Sequence, residues 1–125
     1  MRLLLDTHVF IWVVDDDARL SDAAWLKIQK ADEVYISSAS LWEATIKHQL
    51  GKLRIEPEKL AEAVGQSGFL ELPIRFDHVL AVRHLPMLHR DPFDRLLVAQ
   101  ALSEPMHLLS ADSLVQQYSA LVQAI

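Results

Sequence analysis

The chain has 125 residues, a formal net charge of −5, 51% hydrophobic residues, three glycines and no cysteine. This is the length of one ordinary domain over residues 1–125, with enough apolar side chains for a real core, and it argues against disorder. The lack of cysteine removes disulfides, thiolate metal sites and cysteine nucleophiles, and the acidic balance argues against a general duplex-DNA binder.

In chain order, Arg2–Leu5 reads as a buried strand, and Thr7 is placed to cap a helix from His8 to about Val14. Asp15–Asp17 is a turn, and Ser21 caps a helix over DAAWLKIQKA. The β-branched and aromatic run EVYIS at 33–37 is a second strand. Ser40 opens a helix over LWEATIKHQL that stops at Gly51, the usual left-handed C-terminal position. Pro57 begins the next helix, PEKLAEAVGQ. FLELPI is a third strand, and DHVLAVRHL is a helix ended by Pro86. Asp91 caps and Pro92 begins PFDRLLVAQALS. HLLS at 107–110 is a fourth strand, followed by a short helix from Ser113 and a last strand within ALVQAI. Strands alternating with helices predict an α/β domain with a mostly parallel sheet and right-handed crossovers.

Asp6 raises the first chemical question. It interrupts an otherwise apolar run, and an isolated buried carboxylate either neutralises or finds a positive partner. LLLD near the start and LLSAD at 108–112 both place an aspartate at or just past the end of an apolar strand. In open α/β sheets that carboxyl edge is where ligands bind. Four acids stand at strand ends or helix starts: Asp6, Glu43, Asp94 and Asp112. Each except Asp6 has a plain structural explanation. Ser40-x-x-Glu43 fits a capping box, which is the favoured reading of that fragment alone. Asp94 sits in a first helical turn, where the dipole favours acids, and Asp112 suits a cap.

Taken together the four read differently. Two like charges at 4 Å repel by about 1 kcal/mol in bulk water and about 4 kcal/mol at an effective dielectric of 20. A cluster of such groups calls for protonation or a cation. Oxygen ligands without cysteine select Mg²⁺ or Mn²⁺ over zinc. Two divalent ions would bring the formal charge from −5 to −1.

The strings LLLDTHVFIW, SSASLWEATIKHQLGKL, HRDPFDRLLVAQA and LLSAD, in this order and spacing, make the chain resemble a PIN-domain ribonuclease. Within that family it most resembles the toxin of a VapBC-type toxin–antitoxin pair. The resemblance runs over nearly the whole chain. It implies a PIN-like three-layer sandwich, in which a mostly parallel five-stranded sheet is flanked by helices. It further implies Mg²⁺- or Mn²⁺-dependent endonucleolytic cleavage of RNA by water attack, with Asp6, Glu43, Asp94 and Asp112 as the catalytic and metal-binding acids. Thr7 matches a small hydroxyl residue after the first acid. Ser110 matches a hydroxyl residue that orients the fourth acid or a water. The same resemblance implies a cognate antitoxin as partner and a homodimer.

Several neighbours have rival readings. Asp91 is favoured as a cap over a site acid. Arg90 and Arg95 either grip a phosphate or orient an acid by a salt bridge. Lys47, one turn after Glu43, is first an ordinary helix pair and second a phosphate contact. His8 is read as a polar rim residue rather than a general base. Trp12 and Trp42 are read as core or interface rather than as base-stacking platforms. A phosphoryl-accepting receiver domain and an aspartate-nucleophile phosphohydrolase share parts of the pattern. The first wants a lysine after a late strand, where HLLSADSL has none; the second wants an acid where His8 stands. A catalytically inactive PIN-fold binding module is the remaining alternative. The N-terminal apolar run lacks a cleavage site, and nothing approaches the ~20 apolar residues of a membrane span, so a soluble cytoplasmic protein is expected.

Overall fold

A computed structural model describes all residues 1–125. Five strands form one parallel sheet: β1 (Arg2–Leu5), β2 (Glu33–Ser37), β3 (Leu70–Leu72), β4 (His107–Ser110) and β5 (Val122–Ala124), in the spatial order β3-β2-β1-β4-β5. The helices are α1 (Thr7–Val14), α2 (Asp22–Lys30), α3 (Ser38–Gln49), α4 (Pro57–Gln66), α5 (Phe76–Ala81), α6 (Pro92–Ser103) and α7 (Ser113–Gln116). No helix is long and apolar enough to cross a membrane.

The period-two geometry of a strand divides the core in two. Leu3 and Leu5 of β1 pack on one side with Val9, Phe10, Ile28 and Leu60 from α1, α2 and α4. Leu4 points the other way, towards Leu97, Val98 and Ala101 of α6 and Val115 of α7. Burial on both faces explains why β1 carries the unbroken run Leu3–Leu5 and β4 the pair Leu108–Leu109. The result is the expected three-layer arrangement.

The strand order sets the functional geometry. From β1 the chain steps outward to β2 and β3, then crosses back to β4 and β5 on the other side of β1. The switch point therefore lies between β1 and β4, where a crevice opens beyond the strands' carboxyl ends. Receiver domains have the order 2-1-3-4-5, so the sheet argues against that alternative.

Three local expectations need correction. Asp6, not Thr7, caps α1: its Oδ1 accepts the Val9 N–H at 2.9 Å and Thr7 is the first helical residue. α3 starts at Ser38 with Ser37 as its cap, so Ser40 and Glu43 lie inside the helix and form no capping box. The helix expected up to Pro86 is α5 followed by a single 3-10 turn, Val82–His84. Elsewhere the sequence reading holds at Pro57, Asp91 and Gly51, whose φ of 73° lies in the left-handed region that favours glycine.

Because β4 is buried on both faces, Leu108→Ala is expected to destabilise the fold by about 2–5 kcal/mol. Leu102→Ala, at an exposed position of α6, should stay within about 1 kcal/mol. Urea unfolding measured by circular dichroism would check both values.

Candidate active site at the switch point

Asp6 directly follows β1 and Asp112 stands two residues past β4, so the parallel pairing of Leu5 with Leu109 delivers both to one end of the sheet. The Asp6 N–H donates to the Leu109 carbonyl at 3.1 Å, which extends the ladder by one step. Ser110 then joins the two acids. Its hydroxyl donates to Asp6 Oδ2 at 2.5 Å and accepts the Asp112 N–H at 3.0 Å. α3 brings Glu43 and α6 brings Asp94 to the same crevice, close enough that both Asp6 and Glu43 raise the pKa of Asp94.

Burial makes this crowding costly. Asp6 is 4% exposed and Glu43 5%. Burial pushes the Asp6 carboxyl above the usual carboxylate range, against the opposing hydrogen bonds from Ser110 and Val9. Asp94 is pushed up to about 7, chiefly by burial and then by the charges of Asp91, Asp6 and Glu43, with His89 working in the opposite direction. Asp112 behaves differently. Partial burial would raise it, but the Val115 N–H, the His89 ring and the Leu114 N–H hold it below the usual range.

One cation already touches the cluster. Lys47 Nζ lies 2.9 Å from Glu43 Oε2, a tighter and drier contact than an exposed helix pair. The other oxygen, Glu43 Oε1, is buried and has no hydrogen-bond partner. A buried carboxylate oxygen left without a donor is the kind of exception that points to a missing ligand. All the acids offer oxygen donors, the chemistry preferred by Mg²⁺ and Mn²⁺. The site therefore fits a divalent cation.

His89 was not singled out among the six histidines of the sequence, yet it is central here. Its Nδ1 accepts the Asp91 N–H at 3.1 Å, which places its proton on Nε2. Nε2 lies 3.0 Å from Asp94 Oδ2 and 3.1 Å from Asp112 Oδ2, so one imidazole bridges two acids. The only hint in the sequence is its position just before the Asp91 cap.

The supporting residues separate cleanly. Asp91 is a cap, its Oδ1 accepting the Phe93 and Asp94 N–H groups. Thr7 is buried and donates to the Ser40 hydroxyl at 3.0 Å, tying α1 to α3. Arg95 does neither of the jobs expected of it. Its buried guanidinium donates to the carbonyls of Val82, Pro86 and His89 and to the Tyr118 hydroxyl, so it pins the loop that carries His89. Arg90 is exposed and forms no salt bridge. Trp42 is not core: it is 57% exposed and meets Phe93 edge-on at 5.0 Å. Trp12 is half-buried, with the Arg19 guanidinium 5.2 Å from its ring centre.

Fold and site together define an α/β domain with a buried acidic pocket at the switch point of a parallel sheet. The PIN domain model matches residues 3–121, and the chain belongs to the PIN domain family. This is a nuclease family whose members generally use a divalent metal. Three solved structures share the fold. VapBC2 from Rickettsia felis, bound to a DNA fragment from its promoter, superposes with a TM-score of 0.71 at 15% identity, covering 99% of this chain and 98% of that one. A toxin–antitoxin complex from Klebsiella pneumoniae gives 0.69 at 16% identity, covering 97% and 95%. FitAcB from Neisseria gonorrhoeae gives 0.60 at 19% identity, covering 98% and 96%. No curated protein matches in a sequence search.

The raised Asp94 carboxyl has a thermodynamic consequence. Between its ordinary 3.8 and about 7, the folded chain keeps a proton that the unfolded chain releases. Stability of the metal-free protein should therefore fall as pH rises through that window. Urea midpoints at pH 5 and pH 8 are expected to show this decline, and Asp94→Asn should flatten it.

Proposed function

We propose that the chain is a Mg²⁺- or Mn²⁺-dependent endoribonuclease and the toxin of a toxin–antitoxin pair. The observation that carries the catalytic part is the unpartnered, buried Glu43 Oε1 beside two acids with raised pKa values. A pocket of this charge would repel a phosphodiester unless positive charge stood between them.

On this reading Asp6, Glu43 and Asp94 hold the ion, and Asp112 serves as the fourth acid from across the His89 bridge. Bound there, a divalent ion would supply a Lewis acid for the charge developing on phosphate and make water a competent nucleophile near neutral pH. The chain's own residues do the positioning. Ser110 fixes one oxygen of Asp6, and the Val9 N–H fixes the other. His89 Nε2 holds Asp94 and Asp112 at a set separation, while Arg95 and Tyr118 hold the loop that presents it. Lys47 offsets the charge of Glu43 on its one bonded oxygen and leaves the other free.

The toxin assignment is supported by the fold shared with a toxin–antitoxin complex from Klebsiella pneumoniae and with VapBC2 from Rickettsia felis. A cognate antitoxin that covers the acidic pocket, a homodimer and a cytoplasmic location belong to the same proposal. The inactive binding module is the less favoured reading, because the sequence carries an acid at each of the four positions, Asp6, Glu43, Asp94 and Asp112.

Purified protein should cleave single-stranded RNA with Mg²⁺ or Mn²⁺ and stop in EDTA. Asp6→Asn and Asp94→Asn should each lower kcat/KM by roughly a hundredfold or more. Undiminished cleavage in EDTA, or by Asp6→Asn, would contradict the assignment.

A further inference from the structure

Beside the acidic pocket lies a second cavity of opposite character, with a volume of about 310 Å³. Its polar walls are His8, Trp12, Arg19, Lys47 and Lys52, and the rest of its lining is aliphatic. Three basic side chains line this space and no carboxylate does, although two of the three are paired at its edge: Arg19 grips Asp17, with Nη2 2.7 Å from Oδ2 and Nε 3.1 Å from Oδ1, and Lys47 pairs with Glu43.

The fold builds this cluster from local rules. His8 and Trp12 are four residues apart on α1 and share a face, with ring centres 6.4 Å apart. Lys47 comes from the last turn of α3. The chain then ends that helix in a Schellman motif: the Lys52 N–H donates to the Lys47 carbonyl at 2.9 Å and the Gly51 N–H to the His48 carbonyl at 3.0 Å. That reversal folds Lys52 back towards the turn carrying Lys47. Lys52 takes part in none of the chain's salt bridges.

Lys47 belongs to both spaces. Its Nζ contacts Glu43 in the acidic pocket and lies 3.4 Å from His8 Nε2 on the wall of the basic cavity. The two sites are one side chain apart, close to the reach of neighbouring nucleotides.

We infer that this cavity is a nucleotide subsite for single-stranded RNA, which takes a backbone phosphate flanking the scissile one among Lys47, Lys52 and Arg19, with its base against Trp12. The inference rests on the ribonuclease reading of the acidic pocket. Ammonium and guanidinium groups match phosphate oxygens, and an indole offers a sequence-tolerant surface to an unstacked base. A duplex would keep its bases stacked and out of reach.

The test uses the full chain in EDTA, where cleavage plays no part, with a short fluorescein-labelled single-stranded RNA followed by anisotropy. Lys52→Glu is expected to weaken binding roughly tenfold and to reduce the slope of log K against log salt by about 0.7. Arg19→Ala should act in the same direction, Lys52→Arg should restore affinity, and Lys30→Glu on α2 should bind like the parent. The inference is overturned if the parent binds no RNA, or if Lys52→Glu and Arg19→Ala both bind it unchanged. It is equally overturned if Lys52→Glu spares RNA but loses binding to an oligoglutamate peptide, which would mark a protein-docking site. Metal-dependent cleavage is scored separately. Loss of RNA affinity in Lys52→Glu without any cleavage by the parent would sink the nuclease reading and leave the subsite standing. Normal cleavage with an unchanged KM and unchanged Kd in Lys52→Glu would do the reverse.

Discussion

Carboxylates gathered in a space with little water cannot all remain charged on their own account. This chain nevertheless drives them together, and it does so through backbone hydrogen bonds that are also needed for the fold. The parallel register of β1 with β4 fixes Asp6 next to Ser110, and the Asp6 N–H completes that register. Asp6 cannot leave this position without breaking a hydrogen bond at the centre of the sheet. The cost appears as an Asp94 carboxyl raised to about 7, first by burial and then by the charges of Asp91, Asp6 and Glu43, and as an Asp6 carboxyl raised by burial. The same geometry that makes the metal-free pocket unfavourable suits it, on the proposed reading, to a small hard cation.

The supporting residues deal with the remaining charge in distinct ways. Ser110 and the α1 backbone donate to Asp6, Lys47 pairs with one oxygen of Glu43, and His89 spans Asp94 and Asp112. Behind His89, Arg95 and Tyr118 fasten an otherwise irregular loop through its carbonyl and N–H groups. A second titratable cluster, His78 with Glu104 and Asp77, holds its histidine in the same way: His78 Nδ1 accepts the Arg75 N–H and Nε2 donates to Glu104. It differs in its counter-charge, because Arg75 pairs with both Asp77 and Glu104 and leaves neither carboxylate without a cation.

Much of this was legible in the sequence because it depends on short-range patterns. Apolar runs of four or five residues gave the strands, Pro57 and Pro92 gave helix starts, and Gly51 gave a stop. The four acids could be chosen because each stood at a strand end or beside a cap. Where local reasoning failed, a tertiary contact decided. Ser40-x-x-Glu43 has the letters of a capping box, but Ser37 caps the helix three residues sooner and Glu43 lies buried inside it. Asp6 took over the capping role given to Thr7, whose hydroxyl turns to Ser40 instead. His89 and the carbonyls that Arg95 binds lie in stretches with no periodicity, and only its place just before the Asp91 cap sets that histidine apart from the other five.

The central claim is that these acids are assembled to share a divalent cation. Its most direct test is a crystal of the protein soaked in Mn²⁺, with data collected at the manganese absorption edge. The account predicts an anomalous peak between Asp6, Glu43 and Asp94 that Asp94→Asn weakens or abolishes. A well-ordered pocket with no peak, or manganese bound only elsewhere on the molecule, would contradict it.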